Sequence, residues 1–152
     1  MNDVSPAGPS RAVHHLAIVV EDLDEGMDRY TESLGLAWAN PWAGEIPILV
    51  GHDIRTPSVR FTLSRGNEPH IELIQSTDRD VWEPGSGVHH FGVWVDDVND
   101  IVDEMRSLGF TLDAASPTGD FAYLRSPDGA RIEVVDARSK PDFDRWLSGG
   151  RL

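Results

Sequence analysis

The chain has 152 residues, a length that suits one domain with a core of its own. Its 26 acidic and 13 basic residues give a formal charge of −13, which repels phosphate backbones and anionic membrane surfaces, so neither nucleic-acid nor membrane partners are expected. With no cysteine, disulfides, thiolate metal sites and cysteine nucleophiles are excluded, and any metal must be held by nitrogen and oxygen.

Residues 1–12, MNDVSPAGPSRA, have no apolar run of the signal-peptide kind and read as a loose tail; no stretch approaches the length of a membrane span, and a cytoplasmic protein is expected. A β-type run follows, His14 to Val20 within VHHLAIVVEDL. Asp22 stands where a helix N-cap belongs, Leu23, Met27, Tyr30 and Leu34 mark one apolar helical face, and Gly35 closes the helix. NPWAGEIPILVGHDIRTP is less regular: it carries one uncertain strand in IPILVG and, flanked by Trp38 and containing Trp42, is expected to shape specificity. SVRFTLS (58–64) and HIELIQ (70–75) are strands, and STDRDVWEPGSG (76–87) is a connector.

The pattern then repeats. Sliding the sequence by 75 residues lays VHHFGVWVDDV (88–98) on VHHLAIVVEDL, with Asp97 as the second N-cap and Val98, Ile101, Val102, Met105 and Leu108 as the second apolar face. Gly109 ends that helix, FTLDAA is a second uncertain strand, and FAYLR (121–125) and RIEVVD (131–136) are joined by SPDG. The domain therefore spans 13–137, made of modules 13–75 and 88–137 joined by connector 76–87. Residues 138–152 form a tail with a short helix around PDFDRWL. The fold class is α+β: two tandem βαβββ modules forming a cleft between curved mixed sheets.

Alternation assigns the faces. His14 shares a side with Leu16, Ile18 and Val20, and His89 with Phe91, Val93 and Val95, so these two histidines are placed on the side packed under the helices. His15 and His90 take the other side, each followed two residues later by a small residue, Ala17 or Gly92. The same test puts Ile71, Leu73, Ile132 and Val134 inward, and Glu72 and Glu133 on the open face. One histidine and one glutamate per module thus meet on the concave side. Imidazole nitrogen and carboxylate oxygen suit one divalent ion of borderline character: zinc, nickel, cobalt, manganese or ferrous iron.

The HHLAIVVEDL and HHFGVWVDDV openings, IELIQ, and SPDGARIEVVD resemble the vicinal oxygen chelate superfamily, which includes glyoxalase I, methylmalonyl-CoA epimerase, fosfomycin and bleomycin resistance proteins and extradiol dioxygenases. The resemblance covers roughly residues 13 to 137 and implies the metal ligands His15, Glu72, His90 and Glu133, the same four that the alternation selects. It also implies a homodimer as a common state and a small-molecule substrate with adjacent oxygens. The expected function is that of a metal-dependent isomerase, epimerase or lyase of the glyoxalase type that enolises a small carbonyl or thioester. The alternatives are a non-catalytic ligand-binding protein of the bleomycin-resistance type and a ferrous-iron dioxygenase; the latter pattern has two histidines and one glutamate, so Glu72 argues against it.

Glu133 is the first choice for the base, with Glu72 its symmetry mate. Trp94, on the His90 face, is expected to wall the pocket, and a three-residue SPDG loop places Tyr123 across from Glu133 and Arg125 across from Arg131. With Val59, Phe61 and Leu63 assigned to the helix-side core, Arg60 and Thr62 turn to the cleft. Arg60 or Arg131 could hold a substrate carboxylate or phosphate, although an ion pair is the commoner role for each.

Overall fold

A computed structural model of the chain describes residues 11–78, 80–85 and 87–152. The first module comprises β1 (His15–Val19), α1 (Leu23–Leu34), β2 (Trp42–Glu45), β3 (Ile48–Val50), β4 (Asp53–Arg55), β5 (Ser58–Leu63) and β6 (His70–Ser76). The second comprises β7 (His90–Val95), α2 (Val98–Ser107), β8 (Thr111–Ala115), β9 (Phe121–Arg125) and β10 (Arg131–Asp136), and α3 (Lys140–Leu147) follows. Most of the expected N-terminal tail, residues 1–10, lies outside the described residues.

Both helices start as their sequences require. Asp22 accepts from the backbone N–H of Glu25 and Asp97 from that of Asp100, each at 2.9 Å, and Gly35 takes the left-handed conformation (φ 68°) that ends α1. Leu23, Met27 and Tyr30 of α1 pack on Val20 and Leu73, while Val98, Ile101 and Met105 of α2 pack on Val95, Ala122, Leu124 and Val134. Leu34 and Leu108, counted into those apolar faces from spacing, are exposed; one is the last residue of α1 and the other the cap that follows α2.

The modules meet edge to edge in one mixed sheet of ten strands, ordered β2-β5-β6-β1-β7-β10-β9-β8-β3-β4. Within each module the first strand runs parallel to the last, β1 to β6 and β7 to β10. The seam between modules is the antiparallel pair β1–β7, which sets His15 opposite Gly92 and Ala17 opposite His90. Curling of the sheet leaves α1 and α2 outside and a concave face within, lined by a separate apolar cluster that includes Val59, Ile74, Trp82 and Tyr123.

Both uncertain strands are present, and they close the cleft together. After β2 at one end of the sheet the chain crosses to the other end, where the β3–β4 hairpin meets β8 through a bridge between Leu49 and Ala115. Ile48, fully buried, is the apolar anchor of that crossing. The C-terminal segment is docked: Trp146 of α3 is 1 % exposed against Ala39 and Leu63, and its indole N–H donates to the Asn40 carbonyl at 2.7 Å.

Candidate metal centre

β1 and β7 carry His15 and His90 side by side at the seam, and their parallel neighbours β6 and β10 carry Glu72 and Glu133. His15 Nε2 lies 3.2 Å from His90 Nε2 and 3.9 Å from both Glu72 Oε1 and Glu133 Oε2. His90 Nε2 lies 3.5 Å from Glu72 Oε1 and 2.9 Å from Glu133 Oε2. A divalent ion at about 2.1 Å from each donor requires donor separations of roughly 3 to 4 Å, which is the range found. The donor set fits such an ion, and one chain supplies all of it.

Two features aim the imidazoles. A Cβ on Gly92 would stand 2.0 Å from His15 Cε1, so the His15 ring occupies space that only glycine leaves open. The Nδ1 of each of these histidines is held by the histidine before it, His14 Nδ1 at 3.0 Å from His15 Nδ1 and His89 Nδ1 at 2.8 Å from His90 Nδ1. An imidazole that offers Nε2 to a metal carries its proton on Nδ1, and here that proton meets the Nδ1 lone pair of a neutral neighbour. The neighbours are kept neutral: burial first, then the adjacent His15, lowers His14 to about 3, and burial followed by His90 and Arg131 lowers His89 to about 4. His89 Nε2 in turn reaches the Val81 carbonyl at 2.7 Å.

His14 and His89 therefore do not lie under the helices as alternation suggests. Both precede the first residue of their strands, where alternation has not yet begun, and they turn towards their neighbours; His14 packs on His70, Trp94 and Phe143. His14 also has Glu68 and His70 donors within 4.8 Å, a second metal-like group. With its Nδ1 accepting from His15 and its remaining proton on Nε2, His14 would have no lone pair left for a second ion if His15 held a first.

The two glutamates are not equivalent. Across the ladder Glu133 faces Tyr123, whereas Glu72 faces Leu63. Tyr123 accepts a 2.9 Å bond from the Trp82 indole, which leaves its own hydroxyl proton free to turn to Glu133. Burial, then the Glu133 and Glu72 charges, pushes that phenol well above its usual pKa, so it remains a donor. Burial opposes ionisation of Glu133, but His90 and His15 outweigh it and hold the carboxyl far below the usual range. On His90 burial is likewise outweighed, and Glu133 and Glu72 raise the ring to about 9.

Beside Glu72 and Glu133 opens a cavity of about 160 Å³ walled by Ile46, Val59, Phe61, Phe121 and Phe143 among others. A family model described as Glyoxalase/Bleomycin resistance protein/Dioxygenase superfamily matches residues 14–125. The chain belongs to this superfamily. Among its relatives is a probable lactoylglutathione lyase of Synechocystis sp., 29% identical over 140 residues, covering 84% of this chain and 97% of that protein. A probable chloroplastic lactoylglutathione lyase of Arabidopsis thaliana is 28% identical over 143 residues, and the matched region spans 87% of this chain but only 37% of that longer protein. In fold the chain is similar to a Streptomyces coelicolor methylmalonyl-CoA epimerase, with a TM-score of 0.56, 19% identity, and 84% of this chain and 98% of that one covered. A hypothetical protein of Bacillus halodurans gives 0.59 at 20% identity, over 84% and 95%.

Within this superfamily frame the remaining sequence-derived candidates divide. Tyr123 lines the cavity and lies across from Glu133, and Arg125 lies across from Arg131. Trp94 packs on His14 and Phe143, behind the lining rather than in it. Arg60 and Thr62 face away from the cleft: Arg60 pairs with Asp24 of α1 at 3.4 Å, and the Thr62 hydroxyl donates to the Ala39 carbonyl at 2.7 Å. A single apolar core would set β5's apolar row under the helices, but the cleft is itself apolar, so Val59 and Phe61 line it and the polar residues turn outward. Arg131 bonds Asp113 at 3.0 Å, shares that carboxylate with Arg125, and lies against His89 outside the metal-side cavity. Alternation alone missed Ile46, Trp82 and Phe143, which reach the cavity from the crossing segment, the connector and the C-terminal helix.

Proposed function

We propose that the protein is a divalent-metal-dependent isomerase, epimerase or lyase that enolises a small carbonyl substrate bound through two adjacent oxygens. The observation that carries this reading is the convergence of His15, Glu72, His90 and Glu133 beside a small apolar cavity. The bound ion would supply positive charge to a developing enolate oxygen. His15 and His90, each steadied at Nδ1, and Glu133, facing Tyr123, would hold it. Glu72, rather than Glu133, the first choice from the sequence, is the carboxylate free to swing and take the proton next to the carbonyl, because it has no hydroxyl across the ladder and stands farther from His90. The relatives named as lyases support the reaction class, and the apolar walls keep water from the carbanion.

The reading is tested by exchange of the substrate α-proton in deuterated buffer, followed by NMR over a panel of α-hydroxycarbonyl compounds. Glu72→Gln should retain metal and lose exchange, whereas Glu133→Gln should lose metal affinity first. A purified protein that binds no divalent ion, or exchange that survives both substitutions, overturns the reading.

A further inference from the structure

The cavity that adjoins the metal ligands identifies the kind of molecule that fits, an inference that rests on the metal-centred reading above. Its volume, about 160 Å³, is close to that of an apolar cavity of ~150 Å³, which accepts a benzene ring. The walls are Ile46, Val59, Phe61, Phe121, Val135 and Phe143, and the acidic groups exposed to it are Glu72, Glu133 and, near the outer end, Asp120. No lysine or arginine lines it among the described residues.

The cations that could have served a charged tail are committed elsewhere. Arg60 pairs with Asp24, and Arg125 and Arg131 share Asp113 on a different cavity. Arg138 and Lys140, which flank the lining residue Ser139, are held by Asp136 at 2.6 Å and by Asp144 at 2.7 Å. A divalent ion would balance the two glutamates, the Asp120 carboxylate already accepts from the Ser116 and Thr118 hydroxyls, and the chain as a whole carries −13. A carboxylate or phosphate on the body of a ligand would lose its hydration there and gain no partner.

We infer that the substrate is a compound with two adjacent oxygens for the metal and, filling the cavity, an uncharged hydrocarbon body of about six to eight carbons that carries no anionic group. A glutathione or coenzyme A adduct would have to keep its ionised groups outside this cavity, which offers them no cation.

The test uses the full chain loaded with Co(II) and three hydroxamates that present the same oxygen pair: acetohydroxamate, benzohydroxamate and 4-carboxybenzohydroxamate. In calorimetric titrations benzohydroxamate should bind at least about tenfold more tightly than acetohydroxamate, and at least about tenfold more tightly than its carboxylated analogue. A carboxylated probe that binds as well as benzohydroxamate, or better, overturns the inference. A protein that takes up no cobalt defeats the metal reading instead, and the cavity is then judged on metal-free protein by saturation-transfer NMR. There benzyl alcohol should give ring signals and 4-(hydroxymethyl)benzoate none, and equal signals from the two overturn the inference independently of any metal.

Discussion

At the level of single residues, the convergence of His15, Glu72, His90 and Glu133 is legible in the sequence because two weak signals coincide. Strand alternation put His15, His90, Glu72 and Glu133 on one face, and the internal repeat paired them, one histidine and one glutamate per copy. The pairing partners of those histidines were not legible, because His14 and His89 stand just outside β1 and β7, where the two-residue period gives no direction. Gly92 was noticed as small, but only the register that sets it against His15 shows what the absent side chain admits. Gly92→Ala should accordingly displace the His15 ring and lower metal affinity by about ten- to a hundredfold, the size of effect expected when a ligand loses its support; competition with a chromophoric chelator measures it. The raised His90 gives a pH test with a definite sign. Its folded value, about 9, lies above the ordinary 6.5, so in metal-free protein the contribution of the His90–Glu133 pair is complete below pH 6.5 and is lost as pH rises through about 9. Metal must displace that proton, so apparent affinity should climb between pH 7 and 9, about tenfold per unit at most, in the same competition assay repeated at each pH.

At the level of elements, caps and repeats locate the two helices, because Asp22, Asp97 and Gly35 act on their own neighbours, whereas β2 and β4, strands of only four and three residues, are not legible. Facing was harder where both sides of a strand are apolar. β5 carries Val59 and Phe61 into the cleft because the cleft wall is itself apolar, and no rule that equates apolar with core can separate those cases. The C-terminal segment was read as a tail with a short helix, and the helix is there, but its docking depends on partners distant in sequence. Trp146 fills a space made by Ala39 and Leu63, and Phe143 completes the cavity wall. Trp146→Ala should cost about 3–5 kcal/mol, the usual range for emptying a buried aromatic site, measured by urea unfolding of the metal-free protein.

For the whole molecule, the order β6-β1-β7-β10 brings both modules to one centre within one chain, so the site needs no second subunit for its ligands. Metal uptake should therefore saturate at one ion per chain and keep the same affinity when protein is diluted a hundredfold; a stoichiometry of one ion per two chains, or affinity that falls with dilution, would show a shared site. The doubling also has a bearing on how the two carboxylates came to differ. Two separate copies of a single module would surround an ion with identical glutamates in identical company, and any change to one would be a change to both. Fused in tandem, the copies vary independently: one acquires a phenol opposite its carboxylate and the other a leucine, Tyr123 and Leu63. Linkage of the halves is thus what permits the two carboxylates at the centre to keep different company, one opposite a phenol and one opposite a leucine.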